Sequence, residues 1–189
     1  KKYDTKLIPE IVKQDSIMVG RFEVTRAQFA EFAPDFNFDP IRGNYPVNNI
    51  SSDKARDYCK WLSELTGKKY RLPTEKEFKN LTKLRDISEE SNNLNYWAGY
   101  DINVDDSQEI MARIQKLEES SNLLKPVGSF MPAGDNSIYD LNGNVAEWCI
   151  DENDKPLVLG HSAITPVKIK REYKKPDQKY IGFRVILVE

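Results

Sequence analysis

Apolar residues recur at helical spacing in four stretches of the chain, and a start signal precedes each stretch. Residues 25–28 (TRAQ) and 74–77 (TEKE) both read as capping boxes that open helices. The longest stretch, residues 51–67, has one apolar face and ends at Gly67, a common helix stop. A fourth helix is predicted to start at residues 106–109. The apolar positions behind these predictions are Phe29, Ala30, Phe32, Ala55, Tyr58, Cys59, Leu62, Leu65, Phe78, Leu81, Leu84, Ile110, Ile114 and Leu117.

Strands are predicted to be short and scattered. The best candidates by β-branched and aromatic content are residues 17–24 (IMVGRFEV), 144–150 (NVAEWCI) and 181–188 (IGFRVILV). Ten prolines and nine glycines indicate that much of the remaining chain is loop. The pattern therefore predicts an α+β domain with two main helices early in the chain, short antiparallel strands and abundant irregular backbone.

Composition excludes several classes of function. A length of 189 residues is typical of one domain with a sizeable core. With 28 basic against 30 acidic residues, the net charge of −2 gives no electrostatic footprint for nucleic acid or an anionic membrane. No apolar run is long enough to span a bilayer, and the first residues show no signal-peptide pattern. We therefore expect no nucleic-acid partner and no membrane insertion.

The stretch YDLNGNVAEWC, residues 139–149, alternates acids and amides with large apolar side chains. One interpretation is a turn between strands in which Asp140 and Asn142 bond to local backbone. The other is that the oxygen atoms of this stretch converge on a common partner. The residues alone leave both interpretations open.

Several stretches together resemble one family. They are GRFEVTRAQFAEF, YPVNNISSDKARDYCKWLSELTGKKYRLPTEKEF, KPVGSFMPAGDNSIYDLNGNVAEW and GFRV. Their order and spacing resemble the formylglycine-generating enzyme (sulfatase-modifying factor) family over residues 17–188. The resemblance implies a mixed fold poor in regular secondary structure and related to C-type lectins. It divides the chain into an N-terminal extension or linker, residues 1–16, and a domain, residues 17–189, with an inserted helix at about 106–119.

The resemblance implies a structural calcium site in the stretch that follows Tyr139. The matching ligands are the carboxylates of Asp140 and Glu147 and the backbone carbonyls of Gly143 and Val145. Calcium takes six to eight oxygen ligands of these kinds. Glycine at position 143 is expected to let the backbone turn its carbonyls inward.

A second calcium site of the family is a weaker prediction. By register, Asn95 and the Tyr96 carbonyl would supply one side, and Glu119 with the Ser121 carbonyl the other. The inserted helix interrupts that register. A surface helix with solvated acids is the favoured interpretation of this region.

The residues needed for the family's chemistry are missing. In catalytic members, the resemblance implies a copper ion held by two cysteines in the segment before GFR, and thiolates suit Cu(I). Here that segment, residues 159–184, contains no cysteine. A related branch holds iron with three histidines, whereas this chain has only His161. We therefore expect no copper, no iron and no catalysis.

Three further expectations follow from the same family. Cys59 aligns with a cysteine that often pairs with one directly after GFR, where this chain has Val185, so that bridge cannot form. Cys59 and Cys149 are then either bridged to each other or two buried thiols. Arg71 and Glu75 are expected to clamp a helix start, and Arg184 is expected to be a buried, hydrogen-bonded arginine.

The predicted function is a non-catalytic, calcium-stabilised binding or scaffold module, with its recognition surface in residues 151–181. The residues assigned to that surface are His161, Lys168, Lys170, Arg171, Tyr173, Lys174 and Lys175, which suit an acidic partner. A protein or glycan ligand is expected, and the family slightly favours an extracytoplasmic location. Two alternatives stay open: a residual oxidoreductase using other groups, and a regulatory or structural module of a larger protein.

Overall fold

The computed structural model describes residues 7–85, 90–118, 122–169 and 176–189 and has the predicted α+β class. The helices are α1 (Arg26–Phe32), α2 (Ser52–Thr66), α3 (Glu75–Thr82), α4 (Leu94–Ala98) and α5 (Ser107–Leu117). The strands are β1 (Ile11–Gln14), β2 (Ile17–Gly20), β3 (Lys69–Arg71), β4 (Ala146–Ile150), β5 (Pro156–Leu159), β6 (Ile181–Gly182) and β7 (Ile186–Val188). Within these ranges, no helix is long and apolar enough to cross a membrane.

Local capping chemistry explains where the early helices begin and end. The hydroxyl of Thr25 accepts from the Gln28 N–H at 3.3 Å, and the Gln28 side chain accepts from the Thr25 N–H at 2.9 Å. The same reciprocal pair opens α3, and Gly67 ends α2 with a φ of 69°. Helix α5 begins at Ser107 with Asp106 at its N-cap, as predicted, although Asp106 makes no side-chain cap bond and a 3-10 turn at 104–106 leads into the helix.

The strands form two small sheets. One has the order β1-β2-β7-β3 and is antiparallel throughout, and the other has the order β5-β4-β6, with β4 and β6 parallel. The run IGFRVILV is therefore two strands in different sheets, not one. The sheet also begins before residue 17, since β1 lies in the segment that the sequence assigns to an extension or linker.

The segment between β6 and β7 passes through the main core. Phe183 and Val185 are fully buried in the cluster that α1 and α2 cover. The Tyr58 ring on α2 lies 5.4 Å from that of Phe183 and 5.7 Å from that of Phe29, measured between centroids. Because both neighbours of Arg184 are anchored in this way, the arginine is held in the interior as well.

Candidate functional site

The guanidinium of Arg184 binds two groups of the 139–147 stretch, the Glu147 carboxylate and the Tyr139 carbonyl. Its Nε and Nη2 donate to both carboxylate oxygens of Glu147 at 2.7–3.0 Å. Its remaining donors reach the Tyr139 carbonyl at 3.0 Å and the Gly20 carbonyl at 3.2 Å. Arg184 and Glu147 are 0% and 1% exposed. The expectation of a buried, hydrogen-bonded arginine is confirmed, and its partners join β2, the 139–147 loop and β4.

Glu23 is a further member of this cluster that the sequence analysis missed. It is buried between β2 and α1, where its carboxylate accepts from the Asn144 side chain at 2.8 Å and the Val145 N–H at 3.1 Å. The one available signal was an acid between two apolar residues in a predicted strand, RFEV. Such an acid needs partners when the segment is buried.

Asn144 links the 139–147 loop to two other segments by hydrogen bonds. Its side-chain oxygen accepts from Asn92 Nδ2 at 2.9 Å and from the Lys125 N–H at 3.0 Å, and its Nδ2 donates to the Lys125 carbonyl at 3.2 Å. Its own N–H donates to the Asn92 carbonyl at 2.7 Å. Asn92 in turn accepts from the indole N–H of Trp97. This amide pair therefore positions α4 and residues 123–125 against the site.

The turn residues of the stretch differ from those expected. Asp140 and Asn144 have positive φ angles, 59° and 67°, and both residue types tolerate this conformation. Gly143 is required for a different reason, since a Cβ there would lie 2.5 Å from the Asn92 carbonyl oxygen. Its role is close packing, not the expected turn. The local-turn interpretation is also wrong, because Asp140 accepts from the Gly128 N–H at 2.7 Å and Asn142 reaches the Arg85 carbonyl at 3.4 Å.

Three buried carboxylates surround one guanidinium in this cluster. Burial, together with the charges of Asp140 and Glu147, raises the pKa of Glu23 well above its usual value, and Arg184 only partly opposes this. Burial likewise raises the pKa of Asp140 to about 6, against the Gly128 N–H and Arg184. Burial lowers the pKa of Arg184, but Glu147 outweighs it and the net shift is upward. Protonating Glu23 or Asp140, or binding a cation, would relieve the repulsion among these carboxylates, while Arg85 as well as Arg184 favours the ionised form of Asp140.

The predicted calcium ligands match the ion in donor type. Asp140 and Glu147 lie on one short loop and its following strand, and oxygen donors are what calcium prefers. Glu147 already receives Arg184 on both oxygens, so the ion would share this carboxylate. In the described part of the chain, no group of three or more His, Cys, Asp or Glu side chains could hold a metal. Calcium here would therefore depend on the backbone carbonyls of Gly143 and Val145.

Asn95 of the predicted second calcium site holds a neighbouring loop. Its side-chain oxygen accepts from the Val167 N–H at 3.0 Å, and its Nδ2 donates to Asp101 at 3.2 Å. Tyr96 is 38% exposed beside it on α4. Glu119 and Ser121 lie outside the described residues, so the second site stays a prediction.

The predicted binding surface is described only at its start. His161 is half-buried, and its Nε2 lies 3.3 Å from the Val167 carbonyl of the same loop. Burial lowers its pKa, so the imidazole is neutral at pH 7. Lys168 is exposed, with its ammonium 3.9 Å from Asp101. The other assigned residues, Lys170, Arg171, Tyr173, Lys174 and Lys175, lie outside the described residues.

The expected ion pair between Arg71 and Glu75 does not form, and Arg71 pairs with Glu77 instead. Arg71 donates to both oxygens of Glu77 at 2.7 Å, whereas Glu75 pairs with Lys79 one helical turn along α3. The same Glu77 carboxylate completes the capping box at Thr74. The clamp is structural, as expected, but the residue that forms it was misassigned.

The sequence matches a known protein family over nearly its whole length. The family model of the sulfatase-modifying factor enzyme 1-like domain matches residues 5–188. The chain belongs to this family. Inactive C-alpha-formylglycine-generating enzyme 2 from Bos taurus is 32% identical over 112 residues, which are 55% of this chain and 32% of that protein. The chain thus matches about a third of this curated relative's length.

Two solved structures share the fold of this sulfatase-modifying factor domain. PvdO from Pseudomonas aeruginosa has a TM-score of 0.59 at 20% identity, covering 90% of this chain and 80% of its own. Treponema denticola variable protein 1 has a TM-score of 0.60 at 16% identity, covering 95% of this chain and 92% of its own. At these identities the likeness shows the fold alone, and it agrees with the predicted class.

Neither cysteine of this family member stands where a copper ligand is expected. Cys59 on α2 and Cys149 on β4 are both buried, and the structure has them as free thiols. Burial raises the pKa of Cys59 to about 12 and that of Cys149 well above its usual value. Both are therefore protonated at neutral pH, and the thiolate, not the thiol, is the form that binds metal.

Proposed function

We propose that this domain is a non-catalytic member of its family that serves as a binding or scaffold module. The proposal rests on the small number of cysteines and histidines that could bind copper or iron, and on their surroundings. The chain has two cysteines and one histidine, the thiols are buried and protonated, and the imidazole is held against its own loop. The curated relative from Bos taurus is itself named as inactive, which agrees with the proposal.

The proposed recognition face surrounds α4 and the loop at 161–169. Val167 and Asn95 join these two segments, so residues far apart in sequence share one surface. Tyr96, Tyr100 and Ile169 are exposed there at 38%, 57% and 50%. Exposed apolar side chains grouped on a monomer commonly mark an interaction site. The buried amides behind α4 fix its position, as a recognition surface on a rigid scaffold requires.

Two measurements separate this proposal from a residual oxidoreductase. Purified protein incubated with Cu(I) or Fe(II) and then desalted should retain neither metal stoichiometrically by elemental analysis. Stoichiometric copper or iron would overturn the non-catalytic assignment. In parallel, the domain should capture a partner from native lysate, and a variant with residues 166–180 scrambled should lose it. Capture of nothing by either protein would favour a structural module of a larger polypeptide.

We also propose that calcium binds at Asp140, Glu147 and the Gly143 and Val145 carbonyls. The grouping of three buried carboxylates supports this, since a divalent cation would relieve their repulsion and stabilise the folded state by mass action. The melting temperature should therefore be higher in calcium than in chelator. Asp140→Asn should abolish the difference, and Asp135→Asn, on an exposed turn, should keep it. A difference that survives Asp140→Asn would refute the assigned site.

A further inference from the structure

A cleft of about 1030 Å³ opens beside α4. Its walls come from α4, from the loop between Lys125 and Tyr139, which precedes the buried cluster, and from Arg85 and Glu90. Of the described residues of the predicted binding surface, neither His161 nor Lys168 lines it. Tyr96 belongs both to this cleft and to the proposed recognition face, so the cleft adjoins that face.

Aromatic side chains form the walls of the cleft. The rings of Tyr96 and Phe130 meet edge to face, with centroids 5.0 Å apart, and so make an apolar corner and not a flat platform. Tyr139 stacks on Phe22 at 4.9 Å, which fixes the opposite wall. Met131 at the rim is 74% exposed, and methionine adapts to varied apolar partners.

The charged groups of the cleft favour an anion. Among the described residues that line it, Arg85 and Lys125 are basic and Glu90 is acidic. The Lys125 ammonium lies 4.7 Å from the centre of the Trp97 ring, and a cation over an indole face keeps N–H donors for a carboxylate. Because Asn144 bonds both the N–H and the carbonyl of Lys125, the backbone of this cation is fixed in place.

The floor of the cleft is pre-formed. Gly128 has a φ of 76°, and its N–H donates to the buried carboxylate of Asp140 at 2.7 Å. A Cβ at that position would lie 2.9 Å from the Phe22 ring, so only glycine fits. A rigid floor lowers the entropy lost when a ligand binds.

We propose that this cleft binds a short acidic peptide segment of a protein partner. An aromatic or proline side chain of the peptide enters the corner at Tyr96 and Phe130, and an adjacent carboxylate pairs with Lys125. A neutral glycan would not supply an anion for the Lys125 ammonium, whereas an acidic peptide does. The inference rests on the proposed binding function and names the chemistry of its partner.

The test selects random 12-residue peptides displayed on phage against the purified domain. Enriched peptides should carry Asp or Glu next to an aromatic residue or proline, and their affinity should fall as salt rises. Tyr96→Ala and Lys125→Glu should each weaken binding about tenfold or more. Lys125→Met, which keeps the apolar stem over Trp97, should weaken it similarly, and thermal melts would verify that each variant is folded. The matched control Lys60→Glu, an exposed lysine on α2 that does not line the cleft, should leave binding within about twofold.

Other results distinguish the failure of the cleft from the failure of the binding function. Peptides lost with Lys168→Glu but retained by the Lys125 variants would overturn the cleft and place binding at the 161–169 loop. Retention of an oligosaccharide on a glycan array, with no peptide enriched, would also overturn the cleft proposal while leaving a binding module. Enriched peptides without acidic residues would overturn the role given to Lys125.

Discussion

Replacing Arg184 with methionine should severely destabilise the domain. Within the described part of the chain, Arg184 is the partner of the Glu147 carboxylate, and the change leaves that carboxylate buried beside Glu23 and Asp140. Removing one partner of a buried ion pair costs about 3–5 kcal/mol. The Gly20 and Tyr139 carbonyls also lose their donors, at about 1–3 kcal/mol for each buried group left unsatisfied. The expected loss is therefore at least about 5 kcal/mol, against total stabilities of about 5–15 kcal/mol for domains of this size.

Urea denaturation followed by tryptophan fluorescence measures this loss, because Trp148 lies in the main core. Arg184→Lys should be intermediate, since an ammonium restores the charge but not the forked geometry. Glu147→Gln added to Arg184→Met should recover part of the stability by removing the unpaired charge. The matched control is Arg56→Met, which breaks the exposed pair with Asp154 and should cost less than about 1 kcal/mol. A loss below about 1 kcal/mol for Arg184→Met, or no recovery in the double variant, would refute the reasoning.

Three further measurements test the buried groups. Burial raises the pKa of Asp140 to about 6, so the folded state favours the protonated carboxyl. The contribution of this proton to the stability of the fold is complete below the unfolded pKa near 4 and is lost as pH rises through about 6. In chelator, urea midpoints of wild type should therefore fall between about pH 4 and 6 more than those of Asp140→Asn, and parallel profiles would contradict this. Gly143→Ala should cost about 1–3 kcal/mol, because its Cβ would overlap the Asn92 carbonyl, and a neutral result in denaturation would show that the loop can move. Without reductant, a thiol reagent should label neither cysteine in the native protein and both in denaturant; only a bridge would leave them unlabelled in denaturant.

The sequence by itself determined the features whose causes are local. The capping boxes at Thr25 and Thr74, the stop at Gly67 and the apolar face of α2 all lie within a few residues of their partners, and each is found where it was predicted. The order of motifs indicated the family, which the family model confirms over residues 5–188. The identity of the two cysteines and single histidine was also enough to predict that the metal chemistry of the family lacks its ligands.

Tertiary structure decided which residues share the site. Glu23 lies 121 residues from Asn144, and Arg184 lies 37 residues from Glu147, so no local pattern could pair them. Strands β1 and β3 have only four and three residues, and pairing with β2 and β7 is what defines them. The same holds for Gly143, which reads as a turn residue in sequence but is required by its contact with Asn92. Both partners of a helix cap lie within a few residues of each other, so the sequence is enough to predict the hydrogen bond. A buried charge pairs with residues that are distant in sequence, so only the folded chain shows its partners.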